Sequence, residues 1–236
     1  MASKNNVKTK KVKIKASDLL FLATLTYLSQ FIENIIHDLI QWTPLIDKVP
    51  LGNTWWTLIL RVLCIASWGA VMYFIVRSSR KCGYDPVEKI SGVKPLEWVI
   101  PTAITVAFVL FFIIWDGGFG VFWAGLTNMG GVIGTIGYLL FLAFHVALMV
   151  LIIALSQKAF EIIFPRAWKY IPFGGLFLGA CMMIANVLTG IGVEGWNPLV
   201  LPLLLAVMTL FGVVYVLTGK RAVLSLPFIY LMFFIF

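Results

Sequence analysis

The sequence predicts an all-helical, polytopic membrane protein with about seven transmembrane spans. Of its 236 residues, 61% are hydrophobic and only 12% are charged, whereas a soluble domain carries about 25% charged residues. Several apolar runs approach or exceed the roughly 20 residues that a helix needs to cross about 30 Å of hydrocarbon. The basic residues are also concentrated in alternate connections between these runs. Together these observations indicate lipid as the solvent of most side chains.

Seven apolar segments define the predicted spans. They cover residues 18–41, 53–77, 96–115, 130–156, 171–192, 197–218 and 222–236. The last segment has 15 residues, which rise only about 22 Å as a helix, so a full crossing by this segment is left open. We expect a single transmembrane domain over residues 18–236, preceded by a lysine-rich tail over residues 1–17.

The distribution of basic residues predicts the orientation. Sixteen Lys and Arg residues lie in the N-terminal tail and in the 77–95, 157–170 and 219–221 connections, whereas the other three connections contain only Lys48. Because cytoplasmic loops carry the excess of basic residues, the N-terminus is predicted in the cytoplasm and the C-terminus outside the plasma membrane. Eight tryptophans fall at or beside span ends, as expected for interfacial indoles: Trp42, Trp55, Trp56, Trp98, Trp115, Trp123, Trp168 and Trp196.

The N-terminal tail has six lysines and no acidic residue among its first 15 positions. Such a polybasic segment next to a span is typical of contact with anionic lipid headgroups. Binding of nucleic-acid bases by stacking requires aromatic side chains, and no aromatic residue lies among these lysines. The predicted partners are therefore the lipid bilayer and other membrane proteins, and no nucleic acid.

Ionisable residues at membrane depth suggest a polar cluster between the first two spans. Glu33, His37 and Asp38 lie towards the outer end of the first span, and Arg61 lies in the second. Helix rise places Glu33 and Arg61 at similar depths, so the two can pair. One interpretation is a structural ion pair between the helices. The alternative is a polar cavity that binds a ligand or ion.

No metal site or cofactor is predicted. His145 lies within an apolar span, where a hydrogen bond to a neighbouring helix is the expected role. A zinc site needs three or four Cys, His or carboxylate ligands, and the chain has two histidines and three scattered cysteines. Neither a zinc-peptidase motif nor a phosphate-binding glycine loop is present.

Glycines at helical spacing predict close helix packing. Small residues let helix backbones approach each other in lipid, where no hydrophobic force drives association. The candidate packing residues are Gly130, Gly134, Gly137, Gly175 and Gly179.

From about residue 72 onward the layout resembles the CAAX prenyl endopeptidase and bacteriocin-processing family, also called the abortive-infection family. The resemblance is carried by the basic stretch IVRSSRKCGYDP, the tryptophan-led span PLEWVIP and the segment FGVVYVLTGKRAVLSLP. The stretch AFEIIFPRAW is similar to the family's glutamate motif, with Glu161 in the place of its second glutamate. The resemblance implies a helical membrane scaffold and a glutamate-dependent peptidase site.

The sequence departs from that family at the catalytic motifs. Phe160 replaces the first glutamate, and Arg166 is displaced by one position. Asn186 stands where the family has a histidine, and the last helix has no histidine at all. The resemblance therefore implies a member with degraded motifs, a pseudoenzyme.

Three functions are compatible with these observations. The first is a non-catalytic membrane protein on this CAAX-protease-like scaffold, acting as a binding or assembly subunit with other membrane proteins. The second is a divergent intramembrane endopeptidase, which requires Glu161, Arg166, His145 and Asn186 to converge on one cavity. The third is a small-solute transporter or channel component, suggested by the charged residues of the first two spans.

Overall fold

The computed structural model describes residues 14–41, 54–88, 91–115, 131–165, 170–190 and 197–235. Within these ranges the chain consists of helices joined by turns, without a strand. The lysine-rich tail up to residue 13, Gly130 and Arg166 lie outside the described residues. The side chains of His37 and Asp38 also lie outside them, although both backbones belong to a helix.

The described ranges contain eight α-helices. They are α1 (Ala16–Leu28), α2 (Ile32–Gln41), α3 (Thr54–Lys81), α4 (Leu96–Trp115), α5 (Gly131–Ile163), α6 (Phe173–Gly190), α7 (Val200–Leu217) and α8 (Ala222–Ile235). A 3-10 turn, Ser29–Phe31, joins α1 to α2, so the first predicted span is an interrupted helix.

Six helical segments in the described part of the chain are long and apolar enough to cross a membrane. They correspond to the first six predicted spans, so the predicted helical membrane bundle is confirmed at this level. The seventh segment forms α8, which has 14 residues and is shorter than these candidates. A seventh crossing and the orientation in the bilayer stay predictions.

Helix α5 is longer than expected. The sequence placed its end near residue 156 and a connection over 157–170, but the helix continues to Ile163. The run SQKAFEII consists mostly of residues that support a helix, and Pro165 disfavours continuation beyond it. At 33 residues, α5 rises about 50 Å and so exceeds the hydrocarbon thickness of about 30 Å.

Helix α5 is also the centre of the bundle. It packs against α1, α3, α6 and α8, and every residue from Leu148 to Gln157 is buried. Large apolar side chains such as Met149, Ile152 and Ile153 are fully enclosed by the surrounding helices. The polar sites described below are consequently built on the two ends of this helix.

The interruption between α1 and α2 is held by a tryptophan from α3. The indole Nε1 of Trp68 donates a hydrogen bond to the carbonyl oxygen of Ser29 at 3.0 Å, and Trp68 itself is completely buried. In a 3-10 turn each carbonyl pairs with the N–H group three residues further on, instead of four. In lipid, any backbone polar group that this change leaves unpaired needs a partner inside the protein. Trp68, the mid-span tryptophan, therefore anchors the 3-10 turn that interrupts the first span.

The predicted packing glycines are used inside the chain. A Cβ on Gly175 would collide with the Met208 carbonyl oxygen and lie 2.8 Å from the Cα of Gly212 on α7. A Cβ on Gly179 would lie 2.9 Å from Leu205 Cδ1, also on α7. On the other side of the bundle, a Cβ on Gly137 would lie 2.7 Å from Leu58 on α3. Gly134 is buried on the same helix as Gly137.

We expect Gly175→Ala to destabilise the protein by roughly 1–3 kcal/mol, as is typical of overpacking, because the added methyl group meets backbone rather than a flexible side chain. Gly69→Ala is the matched control. A Cβ there meets only Phe144, at 3.4 Å, and alanine improves helix propensity by about 1 kcal/mol. Thermal unfolding in detergent, followed by helical circular dichroism, should show a lower Tm for the first variant and an equal or higher Tm for the second. Equal Tm values for Gly175→Ala and the parent protein would contradict the close approach of α6 and α7.

Candidate functional site

A polar cavity opens among α2, α3 and α5. It has a volume of about 520 Å³. We call it the Arg61 cavity, and its walls are formed by Glu33, Asn34, Thr57, Leu60, Arg61, Cys64, Tyr138 and Phe141. The cavity combines an acidic and a basic residue with an amide, a hydroxyl and a phenol, an unusual concentration for helices that cross lipid.

Arg61 is positioned by α5. Its Nη1 donates a hydrogen bond to the Gly134 carbonyl oxygen at 3.0 Å, and its guanidinium carbon lies 5.3 Å from the centre of the Tyr138 ring. This distance is within the range of a cation–π contact. Gly137, between these two partners in sequence, lets α3 approach closely enough for both contacts. The guanidinium has five N–H donors, so these contacts leave it capacity to bind an anionic group.

The structure brings together two of the four residues of the predicted polar cluster. Glu33 and Arg61 line the same cavity, in agreement with the similar depths expected for them. An ion pair between the two stays a prediction. His37 and Asp38 follow Glu33 on α2, but their side chains are not among those that the structure describes.

A second polar group lies at the opposite end of α5. Glu161 forms an ion pair with Lys220, which belongs to the turn between α7 and α8. Lys158 is a further cation, 4.0 Å from the same carboxylate. Lys220 adopts a positive φ of 61°, a conformation that costs non-glycine residues roughly 1–2 kcal/mol. The ion pair with Glu161 helps to offset that cost.

Gln157 ties this end of α5 to the start of α6. Its Nε2 donates to the Ile171 carbonyl oxygen at 3.0 Å, and its Oε1 accepts a hydrogen bond from the Gly174 backbone N–H at 2.9 Å. The same Nε2 lies 3.4 Å from Glu161 Oε1. A buried amide thus pairs with a carbonyl just before α6 and with an N–H in the first turn of α6, which has no partner within its own helix.

Tyr84, in the connection after α3, reaches into the same region. Its hydroxyl donates to the Ala154 carbonyl oxygen at 3.3 Å and lies 3.5 Å from the hydroxyl of Tyr215. Burial raises the pKa of Tyr84 to about 12, and the negative charge of Glu161 adds to that shift, while the hydrogen bond with Tyr215 opposes it. The phenol is therefore neutral at physiological pH. We refer to Tyr84, Gln157, Glu161, Tyr215 and Lys220 together as the Glu161 network.

A further ion pair braces this end of the bundle. Arg221 Nη1 lies 3.3 Å from Glu97 Oε2. This ion pair joins the residue before α8 to the first turn of α4. The same Glu97 oxygen accepts a hydrogen bond from the Lys94 backbone N–H at 3.2 Å. Two consecutive basic residues, Lys220 and Arg221, thus bind carboxylates on two different helices. The sequence had indicated them only as markers of orientation.

The structure separates the predicted catalytic residues. Glu161 and His145 belong to one continuous helix, and their 16-residue separation corresponds to about 24 Å of helix rise. Asn186 lies on α6, 12 residues beyond Gly174, which contacts Gln157. Helix rise therefore places Asn186 about 18 Å from Gly174 along the axis of α6. Arg166 falls outside the described residues. The peptidase alternative requires Glu161, His145 and Asn186 to converge on one cavity, whereas Glu161 lies at the end of α5 and His145 near its middle.

His145 is held by aromatic rings. Its imidazole stacks on Phe233 of α8, with ring centres 5.4 Å apart, and meets the edge of Trp68 at 5.3 Å. Among the described residues, no group of three or more His, Cys, Asp or Glu side chains could hold a metal ion. His145 therefore contributes to packing where α3, α5 and α8 meet.

The sequence analysis did not include Gln157, Tyr84 or Tyr215 among its candidate site residues. A signal for Gln157 was present, since it is an amide directly after the apolar run MVLIIALS. Placing the end of α5 at residue 156 assigned Gln157 to a loop and hid its role. No comparable signal marked the two tyrosines, because their contact joins positions 131 residues apart.

Comparison of the chain with protein-family models, with curated proteins and with solved structures finds no match. The likeness to the CAAX prenyl endopeptidase family consequently depends on the sequence stretches given above and stays a prediction.

We expect the Glu161–Lys220 pair to show a coupling free energy of about 1–2 kcal/mol, between the values typical of exposed and buried pairs. Both side chains are less than one-third exposed. The measurement is a double-mutant cycle of Glu161→Gln and Lys220→Gln, read from unfolding in detergent. The exposed pair Arg80–Asp85 is the matched control, and a cycle with Arg80→Gln and Asp85→Asn should give less than about 0.5 kcal/mol. Equal coupling in the two cycles would rule out a special role of the Glu161 network.

Proposed function

We propose that this chain is a non-catalytic integral membrane protein that binds a small polar ligand in the Arg61 cavity. In this proposal it keeps a scaffold like that of the CAAX proteases and acts as a binding or assembly subunit with other membrane proteins. The observation that carries the proposal is the Arg61 cavity itself, a space of about 520 Å³ with residues of both charge signs on its walls.

The ion pair between Glu161 and Lys220 supports the non-catalytic part of the proposal. A general base must lie within hydrogen-bond or one-water reach of the group it serves. Glu161 is bound by Lys220, and His145 and Asn186 lie helical turns away from it.

The chemistry of the cavity suggests the class of ligand. Arg61 favours a carboxylate or phosphate, which can accept two parallel hydrogen bonds from a guanidinium. Glu33 favours an ammonium group, which a carboxylate can bind as an ion pair. A small zwitterion, with an anionic and a cationic group a few bonds apart, fits this pattern better than a simple anion or an apolar compound.

The assembly part of the proposal has a narrower basis. Gly175, Gly179 and Gly137 pack against helices of the same chain, so they do not offer a surface to a second protein. Binding in the Arg61 cavity is therefore the more specific half of the proposal, and a partner protein would use another face.

A second candidate function is a component of a small-solute transporter. The observation in its favour is the interruption of the first span at Ser29–Phe31, which ends two residues before Glu33. Transporters often place their sites at discontinuous helices. Against it, Pro172 and Pro198 precede α6 and α7 and start these helices rather than break them. Uptake of a bound zwitterion into proteoliposomes would favour transport over binding alone.

We expect a zwitterionic ligand at about a hundred times its Kd to stabilise the protein by about 2.7 kcal/mol, which corresponds to a Tm increase of roughly 5–10 °C in a chain of this size. The measurement is a thermal-shift screen in detergent with amino acids and phosphoethanolamine, against matched acids without the amine. Arg61→Gln and Glu33→Gln should abolish the shift caused by a hit.

The control for this screen is Glu161→Gln, which lies at the other end of α5 and should keep the full shift. If no zwitterion stabilises the parent protein, or if Arg61→Gln keeps the shift, ligand binding in the Arg61 cavity is refuted. Peptide hydrolysis by the purified protein that is lost in Glu161→Gln would refute the non-catalytic assignment.

A further inference from the structure

An apolar groove runs between α3, α5 and α8 at the end of the bundle where α3 ends. Its volume is about 170 Å³. All nine residues of its wall are apolar, among them Met72 and Val76 of α3, Leu151 of α5, and Val223 and Leu226 of α8. The groove has the size and chemistry to hold a section of a hydrocarbon chain.

A basic cavity adjoins this groove. It measures about 760 Å³ and shares Met72, Val76 and Val87 with the groove, so the two spaces have a common wall. Its rim carries three basic residues from the last turns of α3, namely Arg77, Arg80 and Lys81. An apolar groove thus leads into a pocket with a positive rim.

Within the described residues, one of the three basic residues of the rim has a carboxylate partner. Arg80 is paired with Asp85 at 2.9 Å, whereas Arg77 donates a hydrogen bond to the uncharged Tyr73 hydroxyl at 3.3 Å. Arg77 and Lys81 are four residues apart on one helix, where like charges repel. An anion bound between them relieves that repulsion.

The end of α3 does not oppose such an anion strongly. Helix C-termini present unpaired carbonyl groups and a partial negative charge. Here the carbonyl oxygens of Ser78, Ser79 and Arg80 accept hydrogen bonds from the N–H groups of Cys82, Tyr84 and Gly83 respectively. The chain itself therefore caps these carbonyls, and the basic side chains dominate the rim.

We infer that these two spaces form one binding site for an anionic phospholipid. Its phosphate lies against Arg77 and Lys81, and part of one acyl chain occupies the groove between α3, α5 and α8. Basic pockets between transmembrane helices are suited to anionic headgroups. The adjoining apolar groove distinguishes a lipid from a free phosphate, which has nothing to place in it. The site is independent of the Arg61 cavity, so either can fail without the other.

The test is lipid binding to the full-length protein in mild detergent, measured by native mass spectrometry with added phosphatidylglycerol or phosphatidylcholine. We expect one phosphatidylglycerol to bind in preference to phosphatidylcholine. Arg77→Gln/Lys81→Gln should weaken that binding by roughly 30-fold, since each basic side chain near anionic headgroups contributes a factor of about five. The matched control is Lys94→Gln/Lys158→Gln, which removes two lysines outside both spaces and outside the N-terminal tail and should keep the preference.

A second variant tests the groove. Val223 is 41% exposed and lines the groove, so Val223→Trp should fill it without disturbing the core and should also weaken phosphatidylglycerol binding. Soluble glycerol 3-phosphate at millimolar concentration should not displace the lipid.

Four binding results would each overturn the proposal. These are equal binding of the two lipids, an equal loss in the Lys94/Lys158 control, unchanged binding in Val223→Trp, and displacement by glycerol 3-phosphate. A mass spectrum dominated by protein dimers that exclude lipid would also overturn it, because a second copy would then cover the groove.

Discussion

The structure depends on one constraint, which is that polar groups within lipid must find partners inside the protein. Tyrosine and tryptophan side chains meet it by donating their O–H or N–H group to a backbone carbonyl of another helix. Tyr27 donates to the Cys181 carbonyl oxygen at 2.9 Å, Tyr230 to that of Leu139 at 3.2 Å, and Trp68 to that of Ser29 at 3.0 Å. These bonds connect distant parts of the sequence and fix the relative positions of helices that dispersion forces alone hold less specifically.

Helix α5 is the element around which the apolar and polar contacts of the bundle are arranged. Its middle is enclosed by apolar side chains from the surrounding helices, whereas both of its ends carry polar contacts. Arg61 binds the Gly134 carbonyl near the start, and the Glu161 network surrounds the last turns. The 27 residues between Gly134 and Glu161 rise about 40 Å, so these two sites lie at opposite ends of the bundle and cannot share one reaction. This separation favours one binding cavity and one structural network over a single catalytic centre.

The extent of successful sequence prediction follows from the physics of each feature. Helix positions were predictable because apolar runs must match the bilayer thickness, and α4 begins and ends at the predicted residues 96 and 115. The shared location of Glu33 and Arg61 was predictable from helix rise alone. The extension of α5 was missed because a helix that leaves the hydrocarbon no longer needs an apolar sequence. The contact of Tyr84 with Tyr215 and the positive φ of Lys220 depend on tertiary packing, which no local pattern encodes.

Cysteine labelling in intact cells most directly tests the central prediction, which is that the bundle crosses a membrane with its basic end in the cytoplasm. Cys64→Ser/Cys181→Ser leaves Cys82, in the basic connection after α3. We expect a membrane-impermeant maleimide to label Cys82 only after the cells are permeabilised. With all three native cysteines replaced, a cysteine at the exposed position of Asn197, before α7, should react without permeabilisation. Labelling of Cys82 from outside intact cells, or equal labelling of both positions before permeabilisation, would contradict the claim.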